Sequence, residues 1–156
     1  IYGNIFNRYL MKKAETLHSL IEKKSFIKKI FMYRVCGTGM GAAACLLKES
    51  GYEVEGGDIT YTPPMSEYLQ TTGIICHDLN KLEKNYLSGF DLIVVGNVVP
   101  KGSRDADLIE NSNVSYTSFP AALGALVLKD FNVVGVSGTH GKTTTTYFLS
   151  QMFTHF

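Results

Sequence analysis

The residues best suited to chemistry form a glycine-rich run near the end of the chain, Gly138-Thr139-His140-Gly141-Lys142-Thr143-Thr144. Glycines in such a loop let successive backbone N–H groups point at a phosphate chain. The Lys142 ammonium can reach the terminal phosphates, and the Thr143 hydroxyl can join the coordination shell of Mg²⁺. The run lacks the first glycine of the common G-x-x-x-x-G-K-[ST] loop, because Val136 stands in its place. It predicts a phosphate-binding loop, with a glycine turn that binds nothing as the alternative.

A second glycine cluster, Val35-Cys36-Gly37-Thr38-Gly39-Met40-Gly41-Ala42, follows the first predicted strand. Read as G-x-G-x-x-A, it places Gly37 at a tight turn, Gly39 where backbone approaches a phosphate, and Ala42 where helix packs on strand. The helix that follows would offer N–H groups and a partial positive charge to an anion. Many helices begin with a glycine turn that binds nothing, so a purely structural turn is the alternative interpretation.

Asp58 ends the next predicted strand, sixteen residues after Ala42. Dinucleotide-binding folds place an acid at a comparable distance, where it accepts a hydrogen bond from a ribose hydroxyl. An aspartate at a strand end also commonly caps a turn. Both roles stay open for Asp58 at this point.

The elements that must position these loops alternate between short apolar runs and helical patterns, as in a βαβ protein. We predict strands at Ile30–Cys36, Tyr52–Glu55, Ile74–Cys76, Leu92–Val95 and Val133–Val136, and helices at Met40–Ser50, Ser66–Thr72, Arg104–Glu110 and Pro120–Lys129. Gly51 and Gly73 follow two of these helices, where a left-handed cap suits glycine. The order predicts an α/β fold: a Rossmann-like parallel sheet with helices on both faces and ligands at the carboxyl ends of the strands.

The charge of the chain is unevenly distributed. Its 156 residues carry a net charge of +1, which favours neither nucleic acid nor an acidic partner, but residues 1–34 hold eight basic and only two acidic side chains. Apolar residues recur at helical spacing between Asn7 and Lys29. We therefore predict a basic amphipathic helical extension over residues 1–29 with a solvated polar face, and contact with a membrane surface or nucleic acid is the alternative.

The cysteines and the hydropathy pattern indicate the compartment. Cys36, Cys45 and Cys76 are an odd number without paired spacing or a nearby histidine cluster, so they support neither a disulfide framework nor a zinc site. No apolar stretch is long enough to span a membrane, and the start lacks the features of a signal peptide. We expect a cytoplasmic protein that binds neither nucleic acid nor membrane.

Several motifs together resemble those of the Mur ligases. Gly138–Thr144 resemble the family's ATP loop, whose shorter G-T-x-G-K-[ST] form lacks the early glycine, and Cys36–Gly41 resemble its turn for the UDP of a UDP-muramyl substrate. Tyr61–Ser66, Val95–Asn97 and Tyr116–Ser118 resemble the branch that acts on recycled peptide. The resemblance covers about residues 29–153, in order and without large gaps.

The resemblance implies a reaction and a set of site residues. ATP would phosphorylate the lactoyl carboxylate of UDP-N-acetylmuramate, and the amine of the murein tripeptide, L-alanyl-γ-D-glutamyl-meso-diaminopimelate, would attack the acyl phosphate in peptidoglycan recycling. Lys142 would be catalytic by neutralising charge together with Mg²⁺, and Thr143 would bind that metal. ATP would contact Gly138, Thr139, His140, Gly141, Lys142, Thr143 and Thr144, and the UDP-sugar would contact Gly37, Thr38, Gly39, Met40, Gly41, Asp58, Ser66 and Asn97.

The resemblance also implies a division of the chain. Residues 30–130 would form the Rossmann-like UDP-sugar-binding domain, and residues 131–156 the first strand, P-loop and helix of a truncated central ATPase domain. Because the chain stops fourteen residues after Lys142, we expect a ligase fragment that is inactive alone, with the missing domains on a separate chain as one option. A stand-alone nucleotide-binding Rossmann module and a nonfunctional gene remnant are the other interpretations.

Three positions depart from the family pattern. Arg34 stands where the family usually has a glycine, and it is expected either to obstruct or to grip a phosphate. Gly57 replaces a usual serine, and Ser103 stands where an asparagine is common.

Overall fold

A five-stranded parallel sheet forms the centre of the protein, in a computed structural model that describes residues 14–83, 85–96, 99 and 102–155. Its strands follow the order β3-β2-β1-β4-β5. They are β1 (Lys29–Tyr33), β2 (Glu53–Asp58), β3 (Ile75–Asp78), β4 (Leu92–Val95) and β5 (Ser115–Ser118). The predicted Rossmann-like α/β fold is confirmed, and every strand ends at the same edge of the sheet because all pairings are parallel.

Six helices accompany the sheet in the described part of the chain. They are α1 (Leu17–Lys23), α2 (Thr38–Glu49), α3 (Met65–Thr71), α4 (Arg104–Asn111), α5 (Phe119–Leu126) and α6 (Lys142–His155), with short 3₁₀ turns at Lys24–Phe26, Tyr86–Gly89 and Leu128–Asp130. Gly51 and Gly73, just after α2 and α3, have φ values of 95° and 68°, the left-handed conformation predicted for them. Among the described residues, no helix combines the length and apolar character that a membrane span requires.

Alternation along the central strands builds a core on each face of the sheet. Ile30 and Met32 of β1 belong to one buried cluster, together with apolar residues of α2 and α5, while Phe31 and Tyr33 belong to a second cluster with residues of α4. Successive strand side chains point to opposite faces. Strand β1 is therefore buried on both sides, as expected for a parallel sheet covered by helices.

Two strand predictions differ from the structure. The expected strand at Val133–Val136 is wrong: these residues form no regular element, and Val133 and Val134 are 58% and 63% exposed. A strand needs a neighbour to satisfy its backbone groups, and the described residues supply none there. Conversely, β5 (Ser115–Ser118) was not predicted, because its four residues are mostly polar and lack an apolar run.

The segment before β1 packs against the sheet. Leu20 of α1 is fully buried in the core that also contains Ala122 and Ala125 of α5, whereas Leu17 is 47% exposed. The Glu15 amide donates to the Tyr116 carbonyl of β5 at 2.8 Å. Residues 1–13 of the predicted extension lie outside the described residues, and the division of the chain near residues 29 and 130 stays a prediction.

A polar cluster covers the outer end of the sheet at β2 and β3. The Glu55 carboxylate, in a residue that is 9% exposed, accepts hydrogen bonds from His77 Nε2 and Tyr86 Oη, each at 2.7 Å, and lies 3.2 Å from Lys29 Nζ. Burial by itself would raise the pKa of Glu55, but the hydrogen bonds from Tyr86, His77 and Lys29 outweigh it and lower that pKa below 4.5. Burial and Glu55 raise the pKa of Tyr86 to about 12, so this hydroxyl stays a donor.

Truncation of Leu20 tests whether α1 is part of the folded unit. We expect Leu20→Ala to lower the free energy of unfolding by about 2–5 kcal/mol, because the side chain is fully buried. The matched variant His18→Ala, in the same helix and with a side chain that is 85% exposed, should lower it by less than about 1 kcal/mol. Urea unfolding followed by circular dichroism measures both values, and equal small losses would show that α1 is not docked on α5.

The Glu55 cluster predicts a pH dependence of stability. The folded pKa of Glu55 lies below its ordinary value, so its contribution is fully present above pH 4.5 and is lost as the pH falls through the folded pKa. The difference in unfolding free energy between the native chain and Glu55→Gln should therefore shrink as the pH is lowered below 4.5. Urea titrations at several pH values measure this difference. Parallel stability curves for the two proteins would contradict the prediction.

Candidate functional site

The first glycine cluster forms the turn between β1 and α2. Gly37 is the N-cap residue of α2, with an extended backbone (φ −68°, ψ 140°), and the helix begins at Thr38. The Gly41 amide is the first that donates within the helix, to the Gly37 carbonyl at 2.8 Å. The N–H groups of Thr38, Gly39 and Met40 precede it and so have no acceptor within the helix. The turn thus presents three amides and the positive end of the helix dipole at the carboxyl edge of the sheet.

The glycines of this turn differ in what requires them. A Cβ at Gly41 would overlap the Met65 sulfur of α3 and lie 3.1 Å from the Val35 carbonyl oxygen, so a larger residue would require the Met65 side chain to move. A Cβ at Gly39 would lie 3.9 Å from the nearest atom, on the Phe119 ring, which is an ordinary contact. Alanine is also the better helix former at such a position. The fold therefore tolerates a methyl group at position 39 and does not itself require glycine there.

Asp58, at the end of β2, holds the turn in place. Its Oδ2 atom accepts a hydrogen bond from the Cys36 amide at 2.8 Å, and Oδ1 accepts one from the Ile59 amide at 2.8 Å. The Asp58 amide donates to Tyr61 Oη, whose hydroxyl donates to the His77 carbonyl. These hydrogen bonds show that Asp58 caps the turn. A carboxylate has about four acceptor positions, so contact with a ribose hydroxyl stays a prediction.

Arg34 lies where β1 enters the turn and contacts two other loops of the same edge. Its Nη2 atom donates to Asp105 Oδ2 in the first turn of α4 at 2.6 Å, and Nη1 lies 3.7 Å from Asp58 Oδ1. The backbone has a φ of 65°, which explains why a glycine would be favoured here. The sequence marks Arg34 as unusual, but it gives no sign of a partner 71 residues away.

The end of β4 meets the glycine turn. A Cβ at Gly96, directly after β4, would lie 3.6 Å from Met40 Cγ of α2 and 4.0 Å from the Tyr33 carbonyl of β1. Because β1 pairs with β2 on one side and β4 on the other, the side on which successive strands are added to the sheet reverses here. Open α/β sheets bind ligands at such a switch point. Asn97, the predicted contact next to Gly96, lies outside the described residues.

Ser66 lies apart from the glycine turn. It lines an open cavity of about 340 Å³ together with Tyr61, Gln70, Ile74 and Cys76. In the described part of the chain, no residue of Gly37–Gly41 belongs to this lining. The segment that carries Ser66 contacts the glycine turn through its neighbours. The Thr62 amide donates to Cys36 Sγ at 3.4 Å, and Met65, next to Ser66 in the sequence, packs on Gly41.

The second glycine cluster forms an exposed loop that leads into α6. Gly138 and Gly141 have φ values of 155° and 77°, and α6 begins at Lys142. Lys142 Nζ donates to the Gly138 carbonyl at 2.7 Å and to the Thr139 carbonyl at 3.3 Å. All predicted ATP contacts, Gly138, Thr139, His140, Gly141, Lys142, Thr143 and Thr144, are exposed. Within the described residues, no cluster of three His, Cys, Asp or Glu side chains could hold a metal ion.

The chain is similar to two curated ligases over its larger part. It is 39% identical over 127 residues to the UDP-N-acetylmuramate–L-alanyl-γ-D-glutamyl-meso-2,6-diaminoheptandioate ligase of Haemophilus influenzae, covering 80% of this chain and 27% of that protein. The Escherichia coli ligase of the same name is 38% identical over 120 residues, covering 75% of this chain and 25% of that protein. The chain thus spans about a quarter of the length of these relatives.

A solved structure and a family model agree with this likeness. The crystal structure of a murein peptide ligase from Psychrobacter arcticus superposes with a TM-score of 0.72 at 36% identity, covering 79% of this chain and 25% of that one. The model described as "Mur ligase family, catalytic domain" matches residues 29–130, from β1 to the 3₁₀ turn at Leu128–Asp130. Because that match covers more than half of the sequence, the chain belongs to the Mur ligase family.

Proposed function

We propose that this chain binds UDP-N-acetylmuramate at the glycine turn between β1 and α2, as part of an ATP-dependent ligase that adds L-alanyl-γ-D-glutamyl-meso-diaminopimelate. The observation that carries the proposal is the N-terminus of α2, where three amides have no acceptor within the helix and Gly37, Thr38 and Gly39 are exposed. Two relatives named as this ligase support the choice of substrate. The proposal includes the cytoplasmic location expected from the unpaired cysteines and excludes nucleic acid and membrane as partners.

The diphosphate of the nucleotide would lie on the amides of Thr38, Gly39 and Met40. Backbone N–H groups at a helix N-terminus bind anions through hydrogen bonds and the helix dipole. Asp58 would act first by fixing the Cys36 amide and hence the turn, and its remaining lone pairs can accept a ribose hydroxyl. Ser66, which lies apart from the turn, would contact a part of the substrate beyond the diphosphate, and Asn97 stays a predicted contact.

ATP and Mg²⁺ would bind at the loop Gly138–Thr144 of the same protein. The loop fits a triphosphate in chemical type: it has glycines at positive φ, a lysine whose ammonium already lies on backbone oxygens, and a threonine hydroxyl at the start of α6. Mg²⁺ would neutralise phosphate charge when bound, with Thr143 as its protein ligand. The Lys142 ammonium would move from the Gly138 carbonyl to a terminal phosphate. Its positive charge would there stabilise the negative charge of the reacting group.

Ligand preference and one glycine variant test the UDP-sugar site together. Isothermal titration should show binding of UDP-N-acetylmuramate in preference to NAD and ADP. Gly39→Ala should weaken that binding by about tenfold or more, because it adds a methyl group to the turn whose amides would bind the diphosphate. The same variant should leave the unfolding free energy unchanged or raise it by up to about 1 kcal/mol, because alanine favours the helix.

Gly89→Ala is the matched control, since nothing lies within 4 Å of a Cβ at that position. It should leave the affinity for UDP-N-acetylmuramate unchanged. A preference for NAD or ADP would favour a different nucleotide-binding module, and absence of all binding would favour a nonfunctional remnant. An unchanged affinity in Gly39→Ala would move the substrate away from the turn.

The ATP loop should bind its ligand weakly in this chain alone. The residues around Lys142 are exposed, and the preceding Val133 and Val134 pack into no sheet. A loop that is not held in shape must be ordered on binding, which lowers affinity. We expect the Kd for ATP with Mg²⁺ to be at least about tenfold higher than that for UDP-N-acetylmuramate. Titration of the chain and of Lys142→Ala measures this, and tight ATP binding lost in Lys142→Ala would refute the expectation.

A further inference from the structure

Arg34 occupies a backbone conformation that disfavours it. Its φ of 65° lies in the left-handed region, where a residue with a Cβ is less stable than glycine by about 1 kcal/mol or more. In the described residues, only Asn113 shares a positive φ without being glycine. A strained residue persists where surrounding contacts hold it, and such residues concentrate at functional sites.

The Arg34 guanidinium lies near two carboxylates and is still partly exposed. Nη2 donates to Asp105 Oδ2 at 2.6 Å, and Nη1 lies 3.7 Å from Asp58 Oδ1. Nε is buried and has no hydrogen-bond partner among the described residues. The side chain as a whole is 33% exposed, so solvent and ligands can reach it. A guanidinium has five N–H donors, and these contacts leave several unused.

Arg34 also changes the charge that an anion meets at the turn. Asp58 Oδ2 accepts from the Cys36 amide, so a carboxylate lies at the turn that leads into α2. That charge opposes the approach of a diphosphate, and the Arg34 cation beside Asp58 offsets it. The two elements also flank the switch point: α2 packs on one face of the sheet, and the Asp105 partner belongs to α4 on the other.

We propose that Arg34 is an additional phosphate-binding residue of this chain. Asp105 and Asp58 hold its guanidinium in position, and the guanidinium donates to the nucleotide diphosphate from the side opposite the α2 amides. This inference rests on the proposed UDP-sugar site and deepens it. Guanidinium forks match phosphate oxygens with two parallel hydrogen bonds, which lysine cannot reproduce. Asp105 competes with the phosphate for Nη2, so it restrains Arg34 until the ligand arrives.

The test uses ligands that differ in phosphate number and variants of opposite expected effect. Uridine, UMP, UDP and UDP-N-acetylmuramate are titrated into the full chain and into Arg34→Gly, Arg34→Lys and Asp105→Asn. Arg34→Gly relieves the backbone conformation and is expected to fold, which circular dichroism verifies. It should weaken UDP binding by about tenfold but uridine binding by less than about twofold. Arg34→Lys should recover only part of the UDP affinity.

The variant Asp105→Asn distinguishes a phosphate-binding role of Arg34 from a purely structural one. Removing the competing carboxylate should tighten UDP binding by about two- to fivefold without changing uridine binding. If Arg34 only ties α4 to β1, then Arg34→Gly and Asp105→Asn will both lower stability and change uridine and UDP binding alike. That outcome would overturn the inference.

The salt dependence of the affinity is a second test, because a purely structural contact between Arg34 and Asp105 would not change it. The affinity of the native chain for UDP-N-acetylmuramate should fall with salt more steeply than that of Arg34→Gly, because one fewer cation faces the phosphates. Equal slopes would overturn the phosphate-binding role of Arg34 while leaving the UDP-sugar site intact. Failure of the native chain to bind any of the four ligands would overturn the proposed site itself and this inference with it.

Discussion

The parallel pairing of β1 with both β2 and β4 is the constraint on which the rest of the structure depends. Register fixes Tyr33 beside Gly57 on one side and beside Val95 on the other. Three loops therefore leave the sheet at one edge and meet at the switch point. The amides of α2 and the guanidinium of Arg34 lie near each other because of that convergence.

Hydrogen bonds between the loops convert this convergence into a defined surface. Asp58 binds the Cys36 amide, and the Gly57 carbonyl accepts from the amides of Arg34 and Val35 at 2.8 and 3.1 Å. These contacts continue the sheet ladder beyond the last residue of β1 and fix the direction in which the chain enters the turn. A preorganised turn binds an anion without further ordering, which is the advantage of rigid over flexible binding loops.

The sequence predicted the parts of the fold that depend on local pattern. Ile30 to Tyr33 form a continuous apolar run that marks a strand buried on both faces, and glycines 37 to 41 mark the start of a helix. It did not predict β5, because Ser115 and Thr117 look like loop residues when their neighbour in the sheet is unknown. The reverse error occurred at Val133 and Val134, whose apolar pattern predicts a strand for which no neighbour is present in the described residues.

The candidate site shows the same limit. Its glycines and Asp58 lie close in sequence to the elements that carry them, so their place at the sheet edge could be predicted. The partnership of Arg34 with Asp105 depends on the distance between two loops in space, and the sequence places them 71 residues apart. Side-chain pairing across loops is set by the tertiary structure, and no periodicity reports it.

The contact between the first described residues and β5 has a consequence for shorter versions of the chain. Glu15 occupies the outer side of Tyr116 with a backbone hydrogen bond, and the Thr117 hydroxyl donates to its carbonyl at 3.0 Å. An unpaired outer strand is a template for intermolecular pairing and aggregation. Proteins shortened to begin at β1 would expose the outer edge of β5. We expect lower solubility in such proteins, caused by this exposed edge and not by damage to the ligand site.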